Sequence, residues 1–485
     1  MKTYRNTWTA LAVATLLAAC AHAPEAPPQV QPPAAHFSSE ALLTHQAADM
    51  PAPALDDWWQ GFQDPVLSRL VERALAQNLD LAAALARVEQ ARAAAQGAGA
   101  QRLPQVGVQG TLLTQRQSLK SPEGALASAF PGYEREQTLQ SLGLGASWEA
   151  DLAGGLRQGE SAAVAEWQAA EAARMGARIS VVAELADAYF LLRGAQARIA
   201  VAEAQIVTQQ RLQALVQDRF DHGLATQGEL AEARALLLQS RGLLPPLRTE
   251  LAQQLHRIDV LAGDEAGSGA ASLLAVPPAA DVPMNIRIPA LPADLTPAQM
   301  LGRRPDVIAA QRQLDASQAR IGVATAEYYP RLSLGGLLGG ESLHGALFSS
   351  AAFQPQAFLG LHWRLFDFGR IDAEVAQAHG ARAEALARLR QQMLRAGEDV
   401  EDSLVTLAQL EAQRALLVDE VDAHRAARDA AADAYRGGAV GLFEVLQEDR
   451  LLLTARDQLA RLQAQRARAA VAAFRALGGG WTPAA

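Results

Sequence analysis

The chain has 485 residues, a formal net charge of -9, and a single cysteine, Cys20. One cysteine excludes an intramolecular disulfide and any cysteine-pair metal or redox site, and the acidic balance argues against a nucleic-acid partner. Half of the residues are hydrophobic. Even so, beyond the first twenty no stretch approaches the ~18 consecutive apolar residues of a membrane helix, so a membrane crossing requires β-strands in a closed barrel.

Residues 1–19 read as a signal peptide, with Lys2 and Arg5 ahead of the apolar run "ALAVATLLAA". Two processing sites compete. Ala21-His22-Ala23 has small-x-small form, but Pro24 stands directly after that cut. Leu17-Ala18-Ala19-Cys20 has the form of a lipobox, which makes Cys20 a lipid attachment site and the new amino terminus. Several acyl chains anchor a protein firmly where one does so only marginally. Ala21 in place of an aspartate points to the outer membrane of a Gram-negative cell. Residues 20–53 are proline-rich and read as an extended, lipidated tether.

From residue 54 the chain states one plan twice. "DDWWQGFQDPVLSRLVERALAQNLDLAAALARVEQARAAAQGAGAQRLPQV" reads as helix ending at a proline, and "LGRRPDVIAAQRQLDASQARIGVATAEYYPRL" does the same. Aligning Pro104 with Pro330 also aligns Asp80 with Asp306, Ala83 with Ala309 and Ala93 with Ala319. Downstream, "SWEADLAGGLR" echoes "HWRLFDFGRID", and "RFDHGLATQGELAEAR" echoes "YRGGAVGLFEVLQEDR". An offset of about 215 to 226 residues indicates a duplication rather than a short solenoid repeat. The first repeat is placed at 54–262, with a strand pair at 104–150 and a long helical hairpin at 157–262. A Gly/Pro/Ala-rich connector spans 263–297. The second repeat is placed at 298–480, with strands at 330–367 and a hairpin at 370–478, and residues 481–485 form a tail.

In each strand pair apolar residues alternate with small or polar ones. Leu142, Leu144, Ala146 and Trp148 oppose Gly143, Gly145 and Ser147; Leu359, Leu361, Trp363 and Leu365 oppose Gly360, His362 and Arg364. A lipid-facing barrel strand requires this period, and so does a soluble hairpin with one buried face. Leu112-Leu113 and Leu337-Leu338 interrupt the alternation in the partner strands. Trp148 and Trp363 stand at equivalent strand ends, as expected of an aromatic girdle at a membrane interface.

The longest segments carry helix periodicity. Leu386, Leu389, Met393, Ala396, Val400, Ser403, Leu407 and Leu410 step by three and four, a heptad seam. Such a helix of ~60 residues extends ~90 Å. The pattern breaks at Asp221-His222-Gly223 and at Gly437-Gly438, which predicts hairpin turns, and Pro245-Pro246 predicts a break in the first returning helix. Four strands cannot close a membrane barrel, whose smallest form has about eight. Three chains supply twelve strands and a matching ring of helices.

The segments "WWQGFQDPVLSRLVERAL", "NLDLAAALARVEQARA", "WEADLAGG", "RRPDVIAA", "ARIGVATAEYYPRLSL", "WRLFDFGR" and "ALGGGW" together resemble the TolC-like outer-membrane efflux proteins. The likeness is to the lipid-anchored, NodT-type members that serve resistance-nodulation-division pumps, and it covers nearly the whole mature chain. It implies a homotrimer with a twelve-stranded β-barrel in the outer membrane, continuous with an α-helical barrel in the periplasm. The implied partners are a periplasmic adaptor and an inner-membrane pump, and the implied role is a passive exit duct for drugs or other solutes. A lipoprotein adaptor or a coiled-coil envelope spacer is the alternative, although an adaptor carries one hairpin and a spacer lacks alternating strands.

The resemblance also implies a constriction at the inner tip, where a hydrophobic ring precedes an acidic position by one turn. Those positions become Phe443 and Gln447, with Arg450 as basic partner. Gln447 departs from the pattern, and Glu444, Glu448 and Asp449 are the nearby carboxylates. Phe443 either plugs a pore or packs between helix tips. The strand-pair loops 118–137 and 341–355 are expected at the cell surface, and the tips near Gly223 and Gly438 at the periplasmic end. Nine scattered histidines show no metal-ligand spacing, and "GGLLGGES" lacks a P-loop lysine, so neither an enzyme nor a cofactor is expected.

Overall fold

The computed structural model describes residues 35–39, 51–269, 286–292, 295–343 and 345–481. The expected signal peptide, Cys20, most of the tether, part of the connector and the end of the tail lie outside the described residues. Two compact units divide the chain.

The first unit comprises Glu89–Ala169 and Gln311–Arg388 among the described residues. Its centre is one antiparallel sheet in the order β1 (Gln105–Arg116), β2 (Glu136–Ala150), β3 (Arg331–Ser342), β4 (Gln356–His362). A short helix, α3 (Pro122–Ala127), lies in the β1–β2 loop, where Ser121 caps it through Gly124 N–H. β2 pairs with β3 across the duplication, so the two strand pairs form a single sheet. Trp363 and Leu365, expected inside the last strand, lie just beyond β4. The Trp363 indole donates to Tyr328 O at 2.9 Å, and Trp148 donates equivalently to Arg102 O at 2.9 Å.

The second unit comprises the described parts of Val30–Val88, Ala170–Ala310 and Leu389–Ala485. The stretch expected as one helix from residue 56 is three pieces: a 3-10 segment Leu55–Phe62, α1 (Pro65–Gln77) and α2 (Leu79–Ala100). Asp64 explains the first break, because its carboxylate caps Val66 and Leu67 N–H with Pro65 in the first turn. Asn78, extended at ψ 130, makes the second and accepts from Leu81 N–H. The second repeat likewise opens with two helices, α7 (Pro297–Arg303) and α8 (Pro305–Ala326). Pro305 forces the preceding Arg304 out of helical geometry, to ψ 116.

The core of this unit collects the sequence ends. Trp58 stacks on Phe474 with centroids 5.4 Å apart, and Phe62 packs on Phe190. Burying such a side chain contributes ~1.5–3 kcal/mol. Gly480 N–H donates to Leu55 O, and the Trp481 indole donates to Arg303 O. Arg303 pairs with Asp56, while Arg304 bridges Asp306 and Asp399. Phe37 is buried, and the N–H groups of Ser38 and Ser39 both donate to the Glu401 carboxylate.

Both long segments are hairpins. α4 (Gly155–Asp221) returns as α5 (Gln227–Gly242) and α6 (Leu244–Leu261), broken at Leu243 ahead of Pro245-Pro246. α9 (Arg370–Arg436) returns as α10 (Leu442–Ala476). In α9 the heptad seam is inward, with Leu389, Ala396, Val400, Ser403 and Leu407 buried. Among the described residues no helix is long and apolar enough to cross a membrane.

Candidate functional site

Two regions carry the chemistry of passage, the sheet and the hairpin tips. Directly opposed residues of a sheet share a face, so the register sorts the strands. Val108 faces Leu144, Leu144 faces Leu338, Trp148 faces Leu334, and Leu334 faces Leu359. These residues form one continuous apolar face, and it is bare: Val108 is 71% exposed and Leu338 62%. The opposite face is small or polar, with Gly107 opposite Gly145, Thr111 opposite Ser141 and Gly143 opposite Gly339. The doubled leucines resolve by side, since Leu112 and Leu338 join the apolar face while Leu113 and Leu337 fall on the other. Phe358 also falls on this face, together with Leu139. Its ring lies over Gly335, where any β-carbon would clash. The outer edges of β1 and β4 have no strand partner among the described residues.

The tips are built on left-handed glycines. Gly223 (φ 71) turns the first hairpin, and Thr226 with Glu229 forms a capping box that starts α5. Gly438 (φ 74) turns the second, and Gly441 precedes α10. Val216, Ala233, Leu442 and Leu446 form an apolar cluster that joins the two hairpins. Above it Arg219 donates to the Tyr435 hydroxyl and lies 5.1 Å from that ring centroid.

Around this cluster the expected constriction residues separate into two groups. Phe443 (58% exposed), Glu444, Gln447 and Arg450 lie on one exposed stripe of α10. Glu448 instead turns toward α9, where its carboxylate meets His424 Nδ1 at 3.3 Å. Asp449 is buried, with Arg428 at 3.8 Å. Burial pushes the Asp449 carboxyl up, Arg428 and then Arg456 draw it back, and Asp429 adds a small push upward. At the first tip the His222 imidazole is raised, first by its bond to Asp218 O and then by the Asp218 charge. Sequence reasoning missed His424, Arg428, Arg219 and Tyr435. No spacing within α9 or α10 alone announces them; Val421 packs with Leu452 and Ala455, and that contact sets α9 against α10.

A family model described as outer membrane efflux protein matches residues 70–264 and 296–479, the two repeats. The chain belongs to that family. This efflux protein is 34% identical over 433 residues to the pyoverdine export outer membrane protein OpmQ of Pseudomonas putida, covering 89% of this chain and 90% of that one. Its fold matches the outer-membrane channel OprN with a TM-score of 0.82 and 31% identity, over 94% of this chain and all of that one. A structure of CusC, a protein described as undergoing transmembrane channel formation, matches with a TM-score of 0.78 and 26% identity, covering 94% of this chain and 99% of that one. The efflux protein is an outer-membrane channel of a Gram-negative cell, extending into the periplasm, and its relatives are transport proteins. Family membership sets aside the adaptor and the spacer.

Proposed function

We propose that three copies of the chain close a twelve-stranded barrel in the outer membrane and a helical barrel below it. In this assembly the channel is the passive exit duct of a tripartite efflux system. One observation carries the reading: the bare apolar face of a four-stranded sheet whose two edges are unpaired. Unpaired backbone groups are untenable in lipid, and an open apolar face of this size does not persist in water. Pairing β4 of one copy with the β1 edge of the next satisfies the edges, and lipid covers the apolar face.

Trp148 and Trp363 then mark the membrane interface, with their indole N–H groups held by backbone carbonyls. Cys20 carries the acyl anchor. The stripe Phe443, Glu444, Gln447 and Arg450 is the constriction, with Glu448 acting through its pair with His424. A periplasmic adaptor and an inner-membrane pump of the resistance-nodulation-division type are the partners, and solutes such as drugs are the cargo. Planar-bilayer recording of the purified protein is expected to give discrete conductance steps, and a silent, correctly folded trimer would overturn the duct. Lys120→Cys, in the α3 loop, is expected to react with an impermeant thiol reagent on intact cells, whereas reaction at Gly438→Cys would reverse the orientation.

A further inference from the structure

Within one chain the two repeats already touch in a way that leaves a matching contact unmade. The strand-to-helix turn of the first repeat, Asp151–Gly155, lies against the helix-to-strand junction of the second. Val323, Ala326 and Pro330 line a 230 Å³ cavity with Leu152 and Gly155, and Ala98 and Gln101 at the end of α2 border it from the first repeat's side. A β-carbon on Gly155 would fall 2.9 Å from Ala326 Cβ, and one on Gly322 would fall 2.7 Å from Gln158 Cγ. Arg320 pairs with Glu166 just beyond. On the same helix α8, Ala316, Ser317 and Ala319 are buried.

The duplicated positions are open on both sides. Aligning Pro104 with Pro330 makes Gln90, Ala91 and Ala93 the counterparts of those three buried residues. Gln90 and Ala93 are exposed and Ala91 is half-buried. Ala100, the counterpart of Ala326, is exposed as well. Aligning Trp148 with Trp363 makes Gly369 (φ 81) the counterpart of Gly154 (φ 79), and Phe368 the counterpart of Ala153. Here the second repeat departs from the first, carrying Phe366-Asp367-Phe368. Asp367 accepts from the N–H groups of Gly369 and Ile371 and so fixes the start of α9. Phe368 is held at φ 57, a strained conformation for a bulky residue. Its side chain is fully exposed, and Phe366 is 90% exposed. Two aromatic rings this exposed mark an interaction site.

We propose that Phe366 and Phe368 seat on the end of α2 and the entry to β1 (residues 96–105) of a second copy. The contact between chains thereby repeats the one the two repeats make within a chain. A head-to-tail contact of this kind is heterologous and closes into a ring. It continues the edge pairing of β4 with β1, and it rests on the trimer reading above. The aromatic pair supplies what the first repeat does without, because its turn is tethered covalently to its neighbour and the second is not.

Oxidative cross-linking of Ala100→Cys with Arg370→Cys, the counterparts of Ala326 and Gly155, tests the seam in the full chain. The double variant is expected to give covalent dimer and trimer on a non-reducing gel, while neither single variant gives trimer. A preparation that is trimeric by native mass yet stays uncrosslinked, both here and at Gln96→Cys with Ala373→Cys, overturns the seam and leaves the trimer standing. Monomer by native mass sinks the trimer, and the seam with it. The pair Phe366→Ala/Phe368→Ala is expected to raise the concentration of half-dissociation at least tenfold with unchanged helical circular dichroism. Unchanged dissociation removes the two rings from the seam.

Discussion

Asp449 is 4% exposed, and burial holds its carboxyl above the ordinary value against the pull of Arg428 and Arg456. A raised folded-state pKa means that the folded tip keeps its proton where the unfolded chain has lost it. Stability from this group is therefore fully present below about pH 4, the unfolded value, and lost as pH rises through the folded one. Asp449→Asn keeps the shape without the charge. Thermal unfolding of the pair is expected to favour the variant increasingly from acid to neutral pH, and parallel profiles would mean that Asp449 is better solvated than its burial implies. Phe443 has the opposite character, an apolar ring in the open. Its truncation to alanine is expected to enlarge single-channel conductance or opening frequency. Unchanged conductance with weakened trimers would assign the ring to packing.

At the scale of elements, alternation along β2 and β4 was legible because side chains reverse at every residue, so one register decides both faces. The apolar face is expected to be intolerant of charge. Leu144→Arg, at the middle of β2 opposite Val108 and Leu338, should cost ~2–4 kcal/mol in a membrane. A loss of heat-stable trimer in the outer-membrane fraction would register it, and wild-type yield would contradict a lipid-facing side. The long hairpins were legible from proline spacing and the heptad seam. Helix breaks at Asp64, Asn78 and Arg304 were not, although Asp64-Pro65 and Arg304-Pro305 are readable capping and pre-proline signals. Apolar periodicity runs through both breaks and masks them. The pairing of His424 with Glu448 was hidden for a different reason, since contacts between helices depend on which faces meet and not on spacing within one.

For the whole molecule the duplication was the most informative feature, and it was legible because glycines, prolines and tryptophans recur in order. Exposure was not legible. α2 and α8 read alike in sequence, yet Gln90 and Ala93 of α2 are exposed while their counterparts Ala316 and Ala319 of α8 are buried. The amino-terminal segment shows a similar limit. Nothing in "AHFSS" announces that Phe37 is buried and that Glu401 receives two N–H groups from the next residues. If Cys20 bears the acyl anchor, mass spectrometry of the mature terminus will find acylated Cys20 in the first position. An unmodified terminus at Pro24 would leave this segment without a lipid.

The pairing of β2 with β3 has a consequence for how the molecule comes to exist. Ala150 meets Leu332 across the whole first hairpin and connector, which makes this the most non-local pairing in the sheet. Closing so long a loop is unfavourable until something shortens it. The hairpin α4–α5–α6 shortens it, because its helices form from neighbouring residues and the returning arm brings Arg257 back beside Glu184. The sheet is therefore expected to condense last, after the helices. Pulse-labelling hydrogen exchange during refolding into lipid should show protection of α4 and α9 ahead of β2 and β3. Strand protection appearing first would reverse that order.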